Sequence, residues 1–537
     1  MPRPQAGEGV PSPFADAASF TPKPDASSTT LLRDAMEQTS FDSGVADAVL
    51  PATTQVYPAP PDVAGSPLFD VHVLADGQRL AAFVYRSVAP EKPYPEDDGS
   101  NEHRTPRRSM DWVTFNMSEP VEVEVTLKTG TFNTVVVRPL SAGVVAKRID
   151  QRTLRIPISK PGSKLSVEFD GKTTNALLLF ADPPEGASTI VPLQGVGVYA
   201  PTPGTNFAPP AGTRAVHFRP GAHDVSEWIV PAGIEHVYVA GGAVVYGALS
   251  VSPRPRFHLT GRGVLSGKKF VWRAAKKTLL HQTGECWDTC IKMFEIKDVP
   301  DVVIDGVTIV EAPYWNFQSD GLRMQMRNFK MLGNWRWNSD GPDIGEGSIV
   351  EDCFVQSNDD MFKMYWSRGT VRRCVAWHMH NGPVIQLGWW MKNISGLRAS
   401  DIDVIHSEWI WSANTNNGGI NYHWDNTVEI KGTGVLADSV FENIRMEGTT
   451  LRAVGLFSPK GQTIRGMTIR GLSVEALGGD LSGKGIENVI RGDNGGRVEN
   501  VTISNMTVGG VRITAQNAIS VGRFVIDPSS TSGIKFE

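Results

Sequence analysis

A short pattern of apolar, small and turn-forming residues recurs through the C-terminal part of the chain. Each copy has an apolar residue, two polar or small residues and then alternating apolar positions. The best copies begin at Val303, Ile349, Thr370, Ile394, Thr463 and Val498. Copies spaced by about 20 to 35 residues are typical of a solenoid with loops of variable length. Because no copy contains a hairpin turn, the pattern favours a parallel β-helix over a β-propeller or a second sandwich.

The clearest marker of the register between copies is a pair of cysteines. Cys353 and Cys374 stand at equivalent positions of two copies, 21 residues apart. Side chains stacked one coil apart explain this pair without a metal ion. Composition agrees with the same fold, because each coil needs sharp turns and the chain contains 54 Gly. The sequence therefore predicts an all-β chain whose larger part is a parallel β-helix.

The N-terminal part of the chain shows a different pattern. Residues 1–50 are rich in Pro, Ser, Ala and Asp without periodicity, which predicts an extended or disordered arm. Residues 51–205 contain short runs that alternate apolar and polar side chains between turn signals, a pattern typical of an antiparallel β-sandwich. A stretch rich in Pro and Gly, from Ala200 to Gly212, indicates a linker. The β-helix is then expected over 206–537.

Charge and hydropathy exclude several classes of partner. The chain has 52 Lys+Arg against 57 Asp+Glu, a net charge of −5, so it lacks the basic excess that binds nucleic acid. It contains no run of about 18 apolar residues, and so no membrane span is expected. The first residues lack a basic segment followed by an apolar one, so no signal peptide is predicted in this chain, which is either intracellular or already processed.

Cys286 and Cys290 form a tight loop with three residues between them. A zinc site would need two more soft ligands nearby, and the other two cysteines lie far along the chain. We therefore expect either a local disulfide or two free thiols here, and neither a metal site nor a cofactor.

Tryptophan is concentrated in one part of the chain. Ten of the 14 Trp residues fall between Trp315 and Trp424. The bore of a β-helix is narrow, so most of these rings are expected outside it or in loops, where indole faces can stack on sugars. The sequence favours a carbohydrate-binding cleft in this region, with plain packing of the rings as the alternative.

The densest set of carboxylates lies in the same region. Asp340 and Asp359 are 19 residues apart, close to one coil, so a β-helix brings them side by side with Asp360. Crowded carboxylates raise the pKa of one member, which gives a protonated acid beside ionised partners, as hydrolysis of a glycosidic bond requires. Calcium binding or turn formation is the alternative. Asp320 repeats the Ser-Asp-Gly triplet one coil earlier and is expected to be a turn or outer-subsite residue.

Three segments around these carboxylates resemble the catalytic region of glycoside hydrolase family 49, the dextranases and isopullulanases. They are Trp337–Ile344, Val355–Tyr365 and Trp377–Trp389, and the resemblance extends over most of the chain from about 60 to 510. It implies an N-terminal β-sandwich joined to a right-handed parallel β-helix, and inverting hydrolysis of an α-glucan. It also implies a secreted or periplasmic protein.

The resemblance also assigns roles within the site. Asp359 would be the general acid, and Asp340 and Asp360 would hold and deprotonate a water molecule, with the acid and base carboxyl groups about 6.5–9.5 Å apart. The residues expected to bind substrate are Asn358, Lys363, Tyr365, Asn381, Gln386 and Trp389. The favoured reaction is endo-hydrolysis of the α-1,6 bonds of dextran.

Other readings remain open. One is isopullulanase-type cleavage of α-1,4 bonds or hydrolysis of another neutral glycan, because Asp343 and the pair His378 and His380 depart from the family pattern beside the site. A pectin-type hydrolase is disfavoured, because the Gly-His-Gly and Arg-Ile-Lys triplets expected of it are missing. A reading of another class is a carbohydrate-binding β-helix without activity.

Overall fold

The computed structural model describes residues 54–90, 108–282, 286–319, 322–389, 393–409, 416–423, 433–478 and 486–537. The predicted arm over 1–50 and the predicted turn residue Asp320 lie outside these ranges. Within the described residues the only helices are two short 3₁₀ turns, Leu140–Ala142 and Ala187–Thr189. None of the helices found there is long and apolar enough to cross a membrane.

The N-terminal part is a sandwich of two sheets, as predicted. Successive side chains of a strand point to opposite faces of its sheet. In strands such as Val121–Leu127 the valines therefore point inward and pack against the other sheet. The pairing is antiparallel except for Ser109–Asn116 beside Asn175–Asp182, which run parallel. One sheet contains Gln55–Val56, Tyr85–Val88, Ser109–Asn116, Val135–Arg138, Ser163–Phe169 and Asn175–Asp182. The other contains Phe69–Ala75, Gln78–Ala82, Val121–Leu127, Lys147–Arg148 and Thr153–Ile158.

The rest of the chain is a right-handed parallel β-helix, which confirms the predicted fold class. Its strands pair with the equivalent strands of the next coil. The main ladder contains Val198–Tyr199, Ala215–Phe218, Gly221–Val230, His236–Val239, Ala243–Val251, Arg256–Gly261, Val264–Ser266, Phe294–Ile296, Asp301–Asp305, Thr308–Val310, Phe317–Ser319, Gln325–Arg327, Lys330–Leu332, Ile349–Glu351, Phe354–Ser357, Thr370–His378, Arg398–Ser407, Val440–Thr450, Thr468–Arg470, Ser473–Leu477, Thr502–Ser504, Thr507–Val508, Val511–Arg512 and Lys535–Phe536.

Two further ladders complete the coils. One contains Phe362–Lys363, Gly382–Gln386, Asn417–Tyr422, Val454–Ser458, Asn488–Gly492 and Phe524–Ile526. The other contains Ile394–Ser395, Gly434–Ala437, Gln462–Arg465, Arg497–Glu499 and Thr531–Ser532. The first of these two ladders carries Lys363 and Gln386 in register on neighbouring coils, so it positions part of the predicted site.

One corner of the coil is built the same way from turn to turn. The residue after each paired strand end has a positive φ, and all but one of these residues are Gly, Asn or Asp, which tolerate the left-handed region best. They are Gly306, Asn328, Asp352, Arg373, Asp401, Asn443, Gly471 and Asn505. This corner explains why the sequence copies carry turn residues at a fixed position.

The bore of the β-helix is filled by apolar side chains, including larger ones than the sequence analysis expected. Phe294 and Phe317 are register partners on successive coils with ring centroids 5.4 Å apart, and the ring of Phe257 lies 5.8 Å from that of Phe294. Cys353 and Cys374 are buried on adjacent coils without a disulfide, in the predicted register.

The tryptophans do not all lie at a surface. Trp377 is completely buried, and with Trp335 it packs between the sandwich and the β-helix, against Trp112 and other sandwich residues. Trp409 is buried in the β-helix core. The expectation that most of the clustered rings face sugar was therefore wrong for these three. The sandwich covers Trp335 and Trp377, and the core of the β-helix takes up Trp409.

The ladder of the β-helix begins earlier than the predicted linker would allow. Val198–Tyr199 already pairs in parallel with Ala215–Val216, whereas the last sandwich strand ends at Asp182. We propose that the division between the two units lies between 182 and 198 rather than at 205. A fragment beginning near 190 would then retain the first β-helix strand.

Candidate active site

The three predicted carboxylates come from turns on two consecutive coils. The amide N–H of Gly341 donates to the carbonyl oxygen of Asp360 at 2.9 Å, which places Asp340 directly beside the Asp359–Asp360 pair. A Cβ atom at Gly341 would lie 2.0 Å from the carbonyl oxygen of Met361. The close approach of the two turns therefore requires glycine. The structure brings Asp340, Asp359 and Asp360 together, as the 19-residue spacing predicted.

Asp359 accepts hydrogen bonds from neutral amides alone among the described residues. Its Oδ2 accepts from Asn381 Nδ2 at 2.6 Å and from Asn338 Nδ2 at 3.3 Å. Its Oδ1 accepts from the backbone N–H of Asp360 at 2.9 Å. The side chain is buried and no ion pair to it is found in the described ranges, so its ionised form is stabilised by amide dipoles and by the more distant charge of Lys363.

Asp360 has a richer set of donors. Its Oδ2 accepts from Tyr365 OH at 2.9 Å and from Trp389 Nε1 at 2.5 Å. Its Oδ1 accepts from Asn416 Nδ2 at 3.1 Å and from Gln386 Nε2 at 3.4 Å. Four donors directed at one carboxylate favour its ionised form.

Asp340 shares a lysine with a fourth carboxylate. Lys363 Nζ lies 2.8 Å from Asp343 Oδ1 and 3.4 Å from Asp340 Oδ2, and it donates to the carbonyl oxygen of Phe317 at 3.1 Å. The Oδ1 atom of Asp340 is buried and has no hydrogen-bond partner among the residues that the structure describes. A water molecule bound there would satisfy it.

Burial raises the pKa values of all three carboxyl groups, and repulsion from neighbouring carboxylates adds to the shift of Asp359 and Asp340. For Asp359, burial and then Asp360 raise the pKa to about 7, although Asn381 opposes the shift. Burial likewise raises the pKa of Asp340, with Lys363 opposing it. Burial raises the pKa of Asp360, while Trp389, Asn416 and Tyr365 oppose it. Such a cluster holds a proton near neutral pH, which general-acid catalysis needs.

Three of the residues predicted to bind substrate have other contacts. Asn358 is 0% exposed, and its amide donates to the carbonyl oxygen of Trp335 and accepts from the N–H of His380. Gln386 is also 0% exposed and bonds Asn416 besides Asp360. The prediction that Asn358 and Gln386 touch sugar is therefore not supported, because no face of either side chain reaches solvent.

Lys363 is similar. Its side chain is buried and only 3% exposed. The ammonium group has three protons, and three oxygen atoms lie near it: Asp343 Oδ1, Asp340 Oδ2 and the carbonyl oxygen of Phe317. The lysine therefore orients Asp340 and Asp343 rather than a sugar hydroxyl. The pKa of Lys363 is raised, because Asp343 and Asp340 outweigh the effect of burial.

The other three predicted residues are only partly buried. Tyr365, Asn381 and Trp389 each contact a carboxylate and keep some surface exposed. Trp389 packs its ring edge-on with His423 at 4.7 Å. Trp315 is also partly exposed, and its ring centroid lies 5.0 Å from Lys363 Nζ. These side chains form the accessible rim around the three carboxylates.

The sequence analysis missed several residues of this site. Asn338 and Asp343 lay inside the quoted motifs, and their polar side chains were the available signal. Asn316 and Asn416 were not singled out. Asn316 Nδ2 donates to the carbonyl oxygen of Asp340 at 2.9 Å, and Asn416 reaches Asp360 across 56 residues. No motif in the sequence marks either contact.

Neither histidine of the unusual pair was predicted to act in catalysis. His378 is completely buried, stacks near Trp409, and has its Nδ1 at 2.9 Å from the carbonyl oxygen of Met379. Burial lowers the pKa of His378 to about 3. It is therefore neutral at neutral pH and cannot supply a positive charge to the site.

The loop with the two remaining cysteines borders the site. Cys286 and Cys290 form a disulfide with Cα atoms 5.3 Å apart, which decides between the two alternatives left open by the sequence. In the same loop Trp272 Nε1 donates to the carbonyl oxygen of Trp337 at 3.1 Å. The described residues contain no cluster of His, Cys, Asp and Glu arranged to hold a metal ion.

Comparison with known proteins agrees with this geometry. A family model described as the glycosyl hydrolase family 49 N-terminal Ig-like domain matches residues 45–190. Over 464 residues the chain is 30% identical to a dextranase of Arthrobacter sp. (strain CB-8), which covers 74% of this chain and 72% of the relative. The chain belongs to glycoside hydrolase family 49. The resemblance inferred from the sequence motifs is thereby confirmed, and the protein is a glycoside hydrolase.

Other members of family 49 differ in their stated activity. The chain is 28% identical over 466 residues to an isopullulanase of Aspergillus niger, covering 79% of this chain and 82% of the relative. The solved structure of Dex49A from Penicillium minioluteum superposes with a TM-score of 0.78 at 24% identity, covering 90% of this chain and 96% of that one. That likeness confirms the fold of a β-sandwich joined to a parallel β-helix.

Proposed function

We propose that the protein is an inverting endo-hydrolase of the α-1,6 bonds of dextran, with Asp359 as general acid. The 30% identity to a dextranase over most of both chains supports the substrate. The observation that carries the mechanism is that Asp359 accepts three hydrogen bonds, all from amide N–H groups. Asp360 accepts four, including those from Tyr365 OH and Trp389 Nε1. Because a polymer such as dextran does not cross membranes, we infer that the protein acts outside the cytoplasm.

The acid half of the reaction belongs to Asp359. A carboxyl group with a pKa of about 7 is substantially protonated at neutral pH. It donates its proton to the glycosidic oxygen as the bond between that oxygen and C1 breaks, so the leaving sugar departs as a neutral alcohol. The amides of Asn381 and Asn338 then stabilise the carboxylate that remains.

The base half of the reaction belongs to Asp360, with Asp340. A water molecule between them and the sugar attacks C1 from the face opposite the leaving group, and its proton passes to Asp360. The unpartnered Oδ1 atom of Asp340 supplies an acceptor that orients this water. Lys363 offsets the negative charge of Asp340 and Asp343, so two of these carboxylates can lie close together.

A second candidate function is cleavage of α-1,4 bonds in pullulan. The 28% identity to an isopullulanase over 79% of this chain favours it. The same carboxylates would serve both reactions, because linkage specificity depends on the sugars bound beside them rather than on the proton transfers.

The experiment that tests the proposal is incubation of the protein with dextran, pullulan and polygalacturonate, followed by sizing of the products. Dextran should yield a range of intermediate oligosaccharides, since an endo enzyme cleaves within the chain. Proton NMR of the earliest product should show the β-anomer, because one displacement inverts the α configuration. A first-formed α-anomer would contradict the inverting mechanism. Activity on pullulan without activity on dextran would favour the second candidate.

The pH dependence of kcat should be bell-shaped. Asp359 must be protonated, so activity should fall as pH rises through about 7, the pKa to which burial raises it. Asp360 must be ionised, so activity should also fall as pH drops towards its pKa, which lies above the ordinary 3.8. Initial rates on saturating dextran across the pH range would show both limbs. A rate that stays constant from pH 6 to about 9 would contradict the role of Asp359.

A further inference from the structure

Two consecutive residues, Glu408 and Trp409, fasten the loop 378–382, which carries Asn381. Trp409 Nε1 donates to the carbonyl oxygen of Gly382 at 2.6 Å, and the Trp409 ring lies 4.7 Å from the ring of His378. The backbone N–H of Glu408 donates to the carbonyl oxygen of His378 at 3.1 Å. The dipeptide Glu408–Trp409 therefore holds both ends of this loop.

The loop in turn leaves Asp359 little freedom. Asn381 Nδ2 donates to Asp359 Oδ2 at 2.6 Å. Gly382 packs so closely that a Cβ atom there would lie 2.3 Å from the amide nitrogen of Asp360 and 2.5 Å from the carbonyl carbon of Asp359. Gly382 has a φ of +73°, which also favours glycine. A shift of this loop would therefore move both carboxyl groups.

Glu408 is in turn bound by a residue of the β-sandwich. Arg108, directly before the strand Ser109–Asn116, donates from Nη1 and Nη2 to the two oxygens of Glu408 at 2.5 and 2.8 Å. Trp377 Nε1 donates to the same carboxylate at 2.8 Å. The guanidinium carbon lies 5.9 Å from the ring centroid of Trp335 and 6.0 Å from that of Trp377.

This ion pair is built for a fixed geometry. Arg108 is only 4% exposed, and a bidentate contact between guanidinium and carboxylate restricts the orientation of both groups. Although burial opposes it, Arg108 lowers the pKa of Glu408 to about 2, so the pair is charged at neutral pH. The contact between Arg108 and Glu408 therefore does not depend on pH near neutrality.

We propose that Arg108, Glu408 and Trp409 are positioning residues through which the β-sandwich holds the loop 378–382 against Asp359. The proposal rests on the proposed role of Asp359 as general acid. It gives the sandwich a part in catalysis, because the distance over which a proton is transferred depends on the placement of the donor within a fraction of an ångström.

The test uses two variants and one matched control in the full chain. Arg108→Met removes the anchor, and Trp409→Phe keeps a ring beside His378 but removes the donor to Gly382. The control is Arg138→Met. Arg138 is also a sandwich arginine paired with a β-helix carboxylate, Glu447, at 2.5 Å, and with Glu168 of the sandwich at 3.2 Å. None of its contacts within the described ranges is with the loop 378–382.

Both test variants should lower kcat on dextran by about 10- to 100-fold with KM changed much less. The alkaline limb of kcat should move to higher pH, because the Asn381 hydrogen bond lowers the pKa of Asp359 and would be weakened. Arg108→Lys keeps the positive charge but loses the bidentate contact with Glu408. Its kcat should therefore lie between those of wild type and Arg108→Met. The control should lower the melting temperature and leave the pH profile unchanged.

The proposal is overturned if Trp409→Phe and Arg108→Met lower only the melting temperature, as the control does. If Arg108→Met does not fold, Trp409→Phe and Arg108→Lys decide by the same pH measurement. Failure of the proposed function is recognised separately, because Asp359→Asn would then retain activity. If Asp359→Asn is inactive and the positioning variants keep the wild-type pH profile, only the present inference fails.

Discussion

Replacement of Asp359 by Asn should lower kcat on dextran by about 100- to 10,000-fold, because the glycosidic oxygen would lose its proton donor. Asn preserves the size of the side chain, and the neighbouring Asn381 and Asn338 can rotate their amides to bond it. Binding of an uncleaved isomalto-oligosaccharide, measured by calorimetry, should therefore change little. Wild-type activity in this variant would contradict the assignment of Asp359 as the acid.

The acid role has a sharper signature in the leaving group. In a nitrophenyl glycoside of an isomalto-oligosaccharide, the leaving group departs as a stable nitrophenolate and needs little protonation. Asp359→Asn should therefore recover most of the activity on this substrate. The matched control is Asp438→Asn. Asp438 is an exposed turn residue with a φ of +52°, a conformation that Asn also tolerates, and its variant should be as active as wild type on both substrates.

Replacement of Asp360 by Asn should cause a loss of similar size, about 100- to 10,000-fold, for a different reason. The attacking water would lose the group that takes its proton. A better leaving group does not replace a missing base, so the nitrophenyl substrate should not restore activity. Added azide, which is nucleophilic without deprotonation, should restore turnover and give a β-glycosyl azide detectable by mass spectrometry and NMR.

A third variant, Asp340→Asn, compared with Asp359→Asn, decides the part played by Asp340. Burial raises the pKa of Asp340 well above its ordinary value, which makes Asp340 the competing candidate for the acid. We assign the acid to Asp359 because Lys363 Nζ lies 3.4 Å from Asp340 and favours its ionised form. If Asp340→Asn, and not Asp359→Asn, regained activity on the nitrophenyl substrate, the two roles would have to be exchanged.

The fold could be predicted from the sequence because each coil repeats a local requirement. A left-handed corner favours Gly, Asn or Asp, and the strands beside it need alternating apolar side chains, so the pattern recurs wherever a coil turns. The same regularity placed Asp340 beside Asp359, since one coil separates them. The strands of the sandwich could also be predicted locally, because apolar and polar side chains alternate within each strand.

The contacts between the two units could not be predicted in this way. Trp335 and Trp377 belong to a cluster that suggested a sugar-binding surface, yet both are buried against the sandwich. An aromatic ring has the same sequence signature whether it faces solvent or another sheet. Arg108 and Glu408 are 300 residues apart, and nothing in either local sequence indicates the partner.

The sequence by itself determined the class of fold, the family and the three carboxylates, because these depend on periodicity and on motifs within one or two coils. Only the tertiary structure decided what each polar residue does. The four donors to Asp360 come from positions 5, 26, 29 and 56 residues away. Asn358, Lys363 and Gln386 are buried and bond neighbouring groups of the site. Hydrogen-bond partners depend on how neighbouring coils and loops pack together. A local stretch of sequence does not specify that packing.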